Sequence, residues 1–134
     1  MAKSDDIETA APDRPEAALL PLTVLNKRAD FLKAARAQRV PCGAFLLQAR
    51  KRSAGEAEGV RIGFTCSKKV GNAVMRNKAK RRLREIARLE LPQAARPGWD
   101  YVLIGRAERT AWDDFAEMRA ALRKGLRRVH GGGA

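Results

Sequence analysis

Between Val60 and Pro92 the chain changes its hydrophobic period across a Gly-Asn pair, from that of a strand to that of a helix. Val60, Ile62, Phe64 and Cys66 alternate with Arg61, Gly63, Thr65 and Ser67, the period of two that gives a strand one apolar and one polar face. Gly71-Asn72 follows, and Asn72 is placed to cap a helix running to about Leu91 and stopped by Pro92. At about 100° per residue, Ala79, Leu83, Ile86 and Ala87 share one narrow side of that helix. A helix with a thin apolar stripe that follows a half-buried strand is expected to pack on a small sheet.

The rest of the body supplies that sheet and further helices. A helix is expected from about Asn26 to Arg39, with Phe31, Leu32 and Ala35 on its apolar side, ended by Pro41 and Gly43. An extended run, Ala44-Phe45-Leu46-Leu47-Gln48, comes next, and polar residues 50–59 read as a hairpin loop. After Gly98, Trp99 to Ile104 suits an interior strand. Thr110 is placed to cap a last helix in which Phe115, Met118, Leu122, Leu126 and Val129 recur at steps of three and four. The order of helix, strands, helix, strand, helix favours an α+β or α/β sandwich with helices on a small sheet. The chain's 134 residues suffice for one domain. Residues 1–21 form an acidic, Pro- and Ala-rich tail expected to be disordered, residues 22–130 the domain, and residues 131–134 a flexible glycine-rich end.

Charge narrows the function. The formal net charge is +13, and the tail holds only two basic residues against five acidic ones, so the body is more basic than the whole. Residues 68–88 carry nine basic side chains (Lys68, Lys69, Arg76, Lys78, Lys80, Arg81, Arg82, Arg84, Arg88) and one acid, Glu85. Asn77, Arg81, Arg84 and Arg88 fall within roughly 60° of one another on the helix. A merely solvated face usually interleaves signs, whereas like charges at i,i+4 repel by tenths of a kcal/mol each. Phosphate neutralisation on binding accounts for that repulsion, and the planar fork of arginine suits phosphates and bases. Phe31 and Phe45 beside Arg61 and Thr65 offer rings for unpaired bases, although both rings serve equally well in a core.

Other chemistries are excluded or weak. No run approaches the roughly 18 apolar residues of a membrane span, and the acidic N-terminus does not resemble a secretory signal, so a cytoplasmic protein without membrane contact is expected. Cys42, Cys66 and the lone His130 lack the number and spacing of a zinc site. His130 precedes three glycines, a poor scaffold for a general base. No catalytic residue and no protein-held metal is assigned. The GFTCSKKVGN segment lacks the Gly-Lys-Ser/Thr close of a phosphate loop.

The run from Lys68 to Glu85, KKVGNAVMRNKAKRRLRE, resembles the signature of the bacterial ribonuclease P protein family, with Arg76-Asn77-Lys78 at its Arg-Asn-Arg-like core. Asp30-Phe31 resembles the family's first-helix motif, Arg61-Ile-Gly-Phe-Thr-Cys-Ser67 its strand into the basic helix, and Pro97-Gly98-Trp99-Asp100 to Arg106 its late strand. Together these span about residues 22–128. The resemblance implies an α+β two-layer sandwich of order α-β-β-β-α-β-α. Its small mixed sheet would have four strands and a left-handed βαβ crossover, like the second domain of ribosomal protein S5.

The resemblance also implies an RNA-binding subunit that assists a catalytic RNA in removing the 5′ leader from precursor tRNA. Mg²⁺ would be bound mainly by the RNA, and the protein would act as a monomer, one per RNA. Lys68, Lys69, Asn72, Arg76, Asn77, Lys80, Arg81, Arg84 and Arg88 would meet the catalytic RNA. Phe31, Phe45, Arg61, Thr65 and Ser67 would line the leader cleft. Ala35 and Gln48 stand where relatives often carry rings, which weakens leader stacking, and Ala79 thins the core stripe. A ribosomal or ribosome-assembly protein is the alternative that composition allows.

Overall fold

In the computed structural model, which describes residues 22–131 other than positions 54, 57 and 58, the extended segments join in one five-stranded sheet. The elements are β1 (Leu22–Val24), α1 (Arg28–Ala35), β2 (Gln38–Pro41), β3 (Phe45–Lys51), β4 (Val60–Thr65), a 3₁₀ turn (Lys68–Val70), α2 (Ala73–Ala94), β5 (Trp99–Gly105) and α3 (Phe115–His130). From α1 onward this is the expected α-β-β-β-α-β-α order, and β1 adds a fifth strand. The sheet order is β1-β4-β5-β3-β2. β1, β4 and β5 run parallel, and β3 pairs antiparallel with both β5 and β2. The segments outside residues 22–131, including the acidic tail and the glycine end, lie outside the described residues.

The main core lies on one face, where α2 and α3 cover the sheet. Leu83, Ile86 and Ala87 of the stripe read from the sequence are buried there with Phe45, Leu47, Ile62, Tyr101 and Leu103, and Ala79 is buried in a smaller cluster with Val70 and Ala111. Met118, Leu122, Leu126 and Val129 of α3 complete it. Each fully buried side chain of this size contributes about 1.5–3 kcal/mol. The opposite face is smaller: Phe31 and Ala34 of α1 pack on Leu25, Val102 and Ile104. Among the described residues no helix is long and apolar enough to cross a membrane.

Several local expectations are corrected. α1 ends at Ala35, and Gln38 and Arg39, expected in the helix, belong to an edge strand, Gln38–Pro41, closed onto β3 by the Cys42 N–H to Phe45 carbonyl bond of 2.9 Å. The buried side of α1 is Phe31 and Ala34, while Leu32 is 44% exposed. Residues 50–59 are not a hairpin loop, because β5, apolar on both faces, takes the interior place between β3 and β4. Pro92 does not stop α2. It forfeits one ladder bond, but the Ala95 N–H reaches the Leu91 carbonyl at 2.8 Å and the helix runs to Ala94.

Thr110 does not cap α3 either. Its buried hydroxyl donates to the Ala44 carbonyl at 2.5 Å and accepts from the Arg106 N–H at 2.7 Å. Asp114 caps instead, its carboxylate accepting from the Glu117 N–H at 3.0 Å.

Candidate nucleic-acid interface

The basic helix begins where backbone geometry demands a glycine. Gly71 has φ of 145°, and a Cβ there would stand 2.9 Å from the Met75 Cβ. Asn72 then caps α2 by accepting from the Met75 N–H at 3.0 Å, and Ser67 caps the preceding 3₁₀ turn through the Lys69 N–H at 3.2 Å. These two caps bracket the turn from the end of β4 into α2. With its apolar stripe seated on the sheet, the helix presents Asn77, Arg81, Arg84 and Arg88 to solvent. Among the described residues, Lys68, Lys69, Lys80, Arg81 and Arg84 have no carboxylate partner. Their field is therefore uncancelled at contact range, the condition for attracting a polyanion.

The other basic residues divide by what they touch. Arg88 is paired with Glu85, whose carboxyl is held low mainly by that hydrogen bond. Arg76 donates to the Gly71 carbonyl at 3.1 Å. Arg82 turns inward and donates to the carbonyls of Thr110 and Asp113 at 2.9 and 2.6 Å. Lys78 stands 3.6 Å over the centre of the Trp112 ring. The sequence did not separate these engaged cations, or Arg84 with its guanidinium 6.0 Å from the Phe64 ring centre, from the rest, since all share the same run.

The sheet face opposite α2 carries three rows set by strand register. Arg50, Asp100 and Arg61 form the first, Gln48, Val102 and Gly63 the second, and Leu46, Ile104 and Thr65 the third. The first row is charged and closed. Arg61 meets both oxygens of the fully buried Asp100, Nε at 2.8 Å and a terminal nitrogen at 2.9 Å, and also lies 3.5 Å from Asp30. Arg52 donates to Asp100 as well, and Arg50 lies 3.6 Å away while bonding Glu56. The hydrogen bonds with Arg50, followed by the Ser53 N–H, hold the Glu56 carboxyl down at about 2. The second row is buried, with Val102 and Gly63 packed beneath Phe31 and Ala34 of α1. The third row is half exposed.

Of the expected cleft residues, Phe31 and Thr65 belong to this face and Ser67 is exposed at its end. Arg61 is on the same face but is committed to Asp100. Phe45 is a correction: it pairs with Gly105 in register, points to the α2/α3 side and is 0% exposed. It is a core ring with no surface to offer a base. Gln48 is 6% exposed beneath the α1 layer, so it does not border an open groove.

Among the described residues no Cys–His pair forms. Cys66 packs at the Gly105 end of β5, whereas His130 packs on Trp99 and Tyr101, at least ~13 Å away along the strand. Burial pushes the Cys66 thiol up, against the pull of Lys80, Arg84 and Arg76, and pushes Cys42 to about 11. Both stay as thiols at neutral pH. His130 is held in the last turn of α3, not at a frayed end, with its Nε2 2.5 Å from the Tyr101 hydroxyl. Among the described residues, no three of His, Cys, Asp and Glu gather as metal ligands.

Known proteins resemble this chain in sequence and in fold. The family model described as Ribonuclease P matches residues 21–130. The chain is 65% identical over 109 residues to the ribonuclease P protein component of Ruegeria pomeroyi, covering 81% of this chain and 87% of that one. It is 46% identical over 106 residues to the corresponding component of Gluconacetobacter diazotrophicus, covering 78% and 89%. Among solved structures, the RNase P protein of Staphylococcus aureus superposes with a TM-score of 0.62 at 26% identity, over 79% of this chain and 94% of that one. The Thermotoga maritima RNase P protein superposes at 0.61 with 29% identity, over 75% and 91%.

Proposed function

The chain belongs to the ribonuclease P protein family, and from that premise we propose that it binds the catalytic RNA of ribonuclease P and assists removal of the 5′ leader from precursor tRNA. The observation that carries the reading is the run of uncancelled cations on α2, held rigid by the buried stripe beneath it. Phosphate contacts made by Lys68, Lys69, Lys80, Arg81 and Arg84, with Asn77 between them, release counterions and reduce RNA–RNA repulsion. The assembly then folds at lower Mg²⁺. The half-exposed row of Leu46, Ile104 and Thr65, bordered by Phe31 and Ser67, is the surface for the single-stranded leader. Arg61 supports that surface through Asp100.

The chemistry is assigned to the RNA, because neither cysteine is poised as a thiolate and His130 is paired with a phenol. Mg²⁺ is assigned to the RNA on similar grounds: the buried carboxylates Asp100 and Glu90 are already neutralised by arginines, Glu90 by Arg119 and Arg123 at 2.7 and 2.8 Å. One protein per RNA, acting in the cytoplasm, completes the reading. Reconstitution tests it. With cognate RNA at low Mg²⁺, adding the protein restores cleavage of precursor tRNA, and the protein alone cleaves nothing. Cleavage by the protein alone, or no effect of the protein on the RNA, contradicts it.

A further inference from the structure

Trp112 is 62% exposed, an uncommon state for the largest apolar side chain, and it sits against the basic helix. The loop that carries it is held firmly. Arg82 donates to the carbonyls of Thr110 and Asp113, on either side of the tryptophan, and the N–H groups of Trp112 and Asp113 both return to the Arg109 carbonyl, at 3.0 and 2.8 Å. Thr110 ties the same loop to Ala44. The indole is thus presented in a fixed place without being buried. Lys78 covers its centre at 3.6 Å, and Val74, one turn earlier on α2, is 73% exposed. Val74, Lys78 and Arg82 form one i,i+4 row, adjacent to the solvent-facing row of Asn77, Arg81 and Arg88.

A fixed, exposed aromatic ring beneath Lys78, which among the described residues has no carboxylate partner, fits a ligand that is at once anionic and flat. We propose that Trp112 stacks on an unpaired base of the bound RNA, extending the α2 interface across to the loop before α3. This rests on the RNA-binding reading of α2. The ring supplies sequence-tolerant stacking, and Lys78 supplies a cation that can turn from the indole to the adjoining phosphate.

The test uses the full chain and cognate ribonuclease P RNA. In the Trp99→Phe protein, Trp112 is the sole indole, and saturating RNA quenches its emission. Trp112→Ala weakens RNA binding about tenfold, and because no charge is lost the slope of affinity against salt is unchanged. Trp112→Phe recovers most of the loss, which separates stacking from any damage to the fold. Unquenched emission overturns the proposal, and so does Trp112→Ala affinity within about twofold of the parent. Arg81→Ala, measured alongside, tells the two readings apart. If it weakens binding while Trp112→Ala does not, only the stacking contact falls. If neither weakens binding, the α2 interface falls with it.

Discussion

The Phe31 ring closes over Gly63 so tightly that a Cβ on the glycine would stand 2.5 Å from the ring's Cε1. This contact sets the height of α1 above the sheet and thereby the opening of the Leu46–Ile104–Thr65 row. Gly63→Ala has to lift the ring, and urea denaturation should show a loss of about 1–3 kcal/mol, the usual cost of overpacking. Binding of a leader-bearing precursor should change more than binding of mature tRNA.

Asp100 is the anchor of the charged row. Asp100→Asn leaves Arg50, Arg52 and Arg61 crowded without their common anion, and equilibrium unfolding should record a loss of about 3–5 kcal/mol. Arg61→Ala should cost less, because Arg52 still meets the carboxylate. Equal losses from the two variants would mean that Arg61 alone satisfies Asp100.

Arg81 and Arg82 are sequence neighbours with opposite duties. Arg82→Ala removes two bonds to loop carbonyls and should lower stability by about 2–3 kcal/mol. Arg81→Ala should stay within about 0.5 kcal/mol of the parent. In RNA binding Arg81→Ala should cost roughly 1–3 kcal/mol and reduce the salt slope by about one. Thermal melts and a salt titration of both variants check the exchange.

The end of α3 gives the fold a pH signature. Burial raises the Tyr101 phenol to about 12, so its contribution is complete below the ordinary value near 10 and is lost as pH rises from there through about 12. Burial, then the Arg96 charge, lowers the His130 pKa, so its neutral form is favoured by folding. That contribution is present above about pH 6.5 and is lost as pH falls below it. Chemical denaturation across pH should show both edges, and Tyr101→Phe should remove most of the alkaline one.

The legible parts of this fold were those with a clean period. The β4 alternation and the α2 and α3 stripes bury or half-bury the residues that their spacing indicates, because each element has one apolar side. β3 is apolar on both sides, so its parity was ambiguous, and only pairing with β5 shows that Phe45 and Thr65 lie on opposite faces. β1 is three residues long and exposed along its length, and β2 follows a helix-favouring run; neither carries a local signal. The Asp100 cluster joins residues brought together only by register. The basic ridge was legible as charge, but which of its cations are already engaged required the contacts of Arg82, Lys78, Arg84 and Arg88.

The most direct measurement replaces Lys80, Arg81 and Arg84 together by glutamine and follows RNA affinity over a salt series alongside precursor tRNA cleavage at low Mg²⁺. The three side chains lie outside the apolar stripe, so the variant should melt near the parent temperature. The account predicts a shallower salt dependence, weaker RNA binding and loss of cleavage that added Mg²⁺ restores. Unchanged affinity and cleavage in a folded variant would show that the α2 ridge does not grip the RNA.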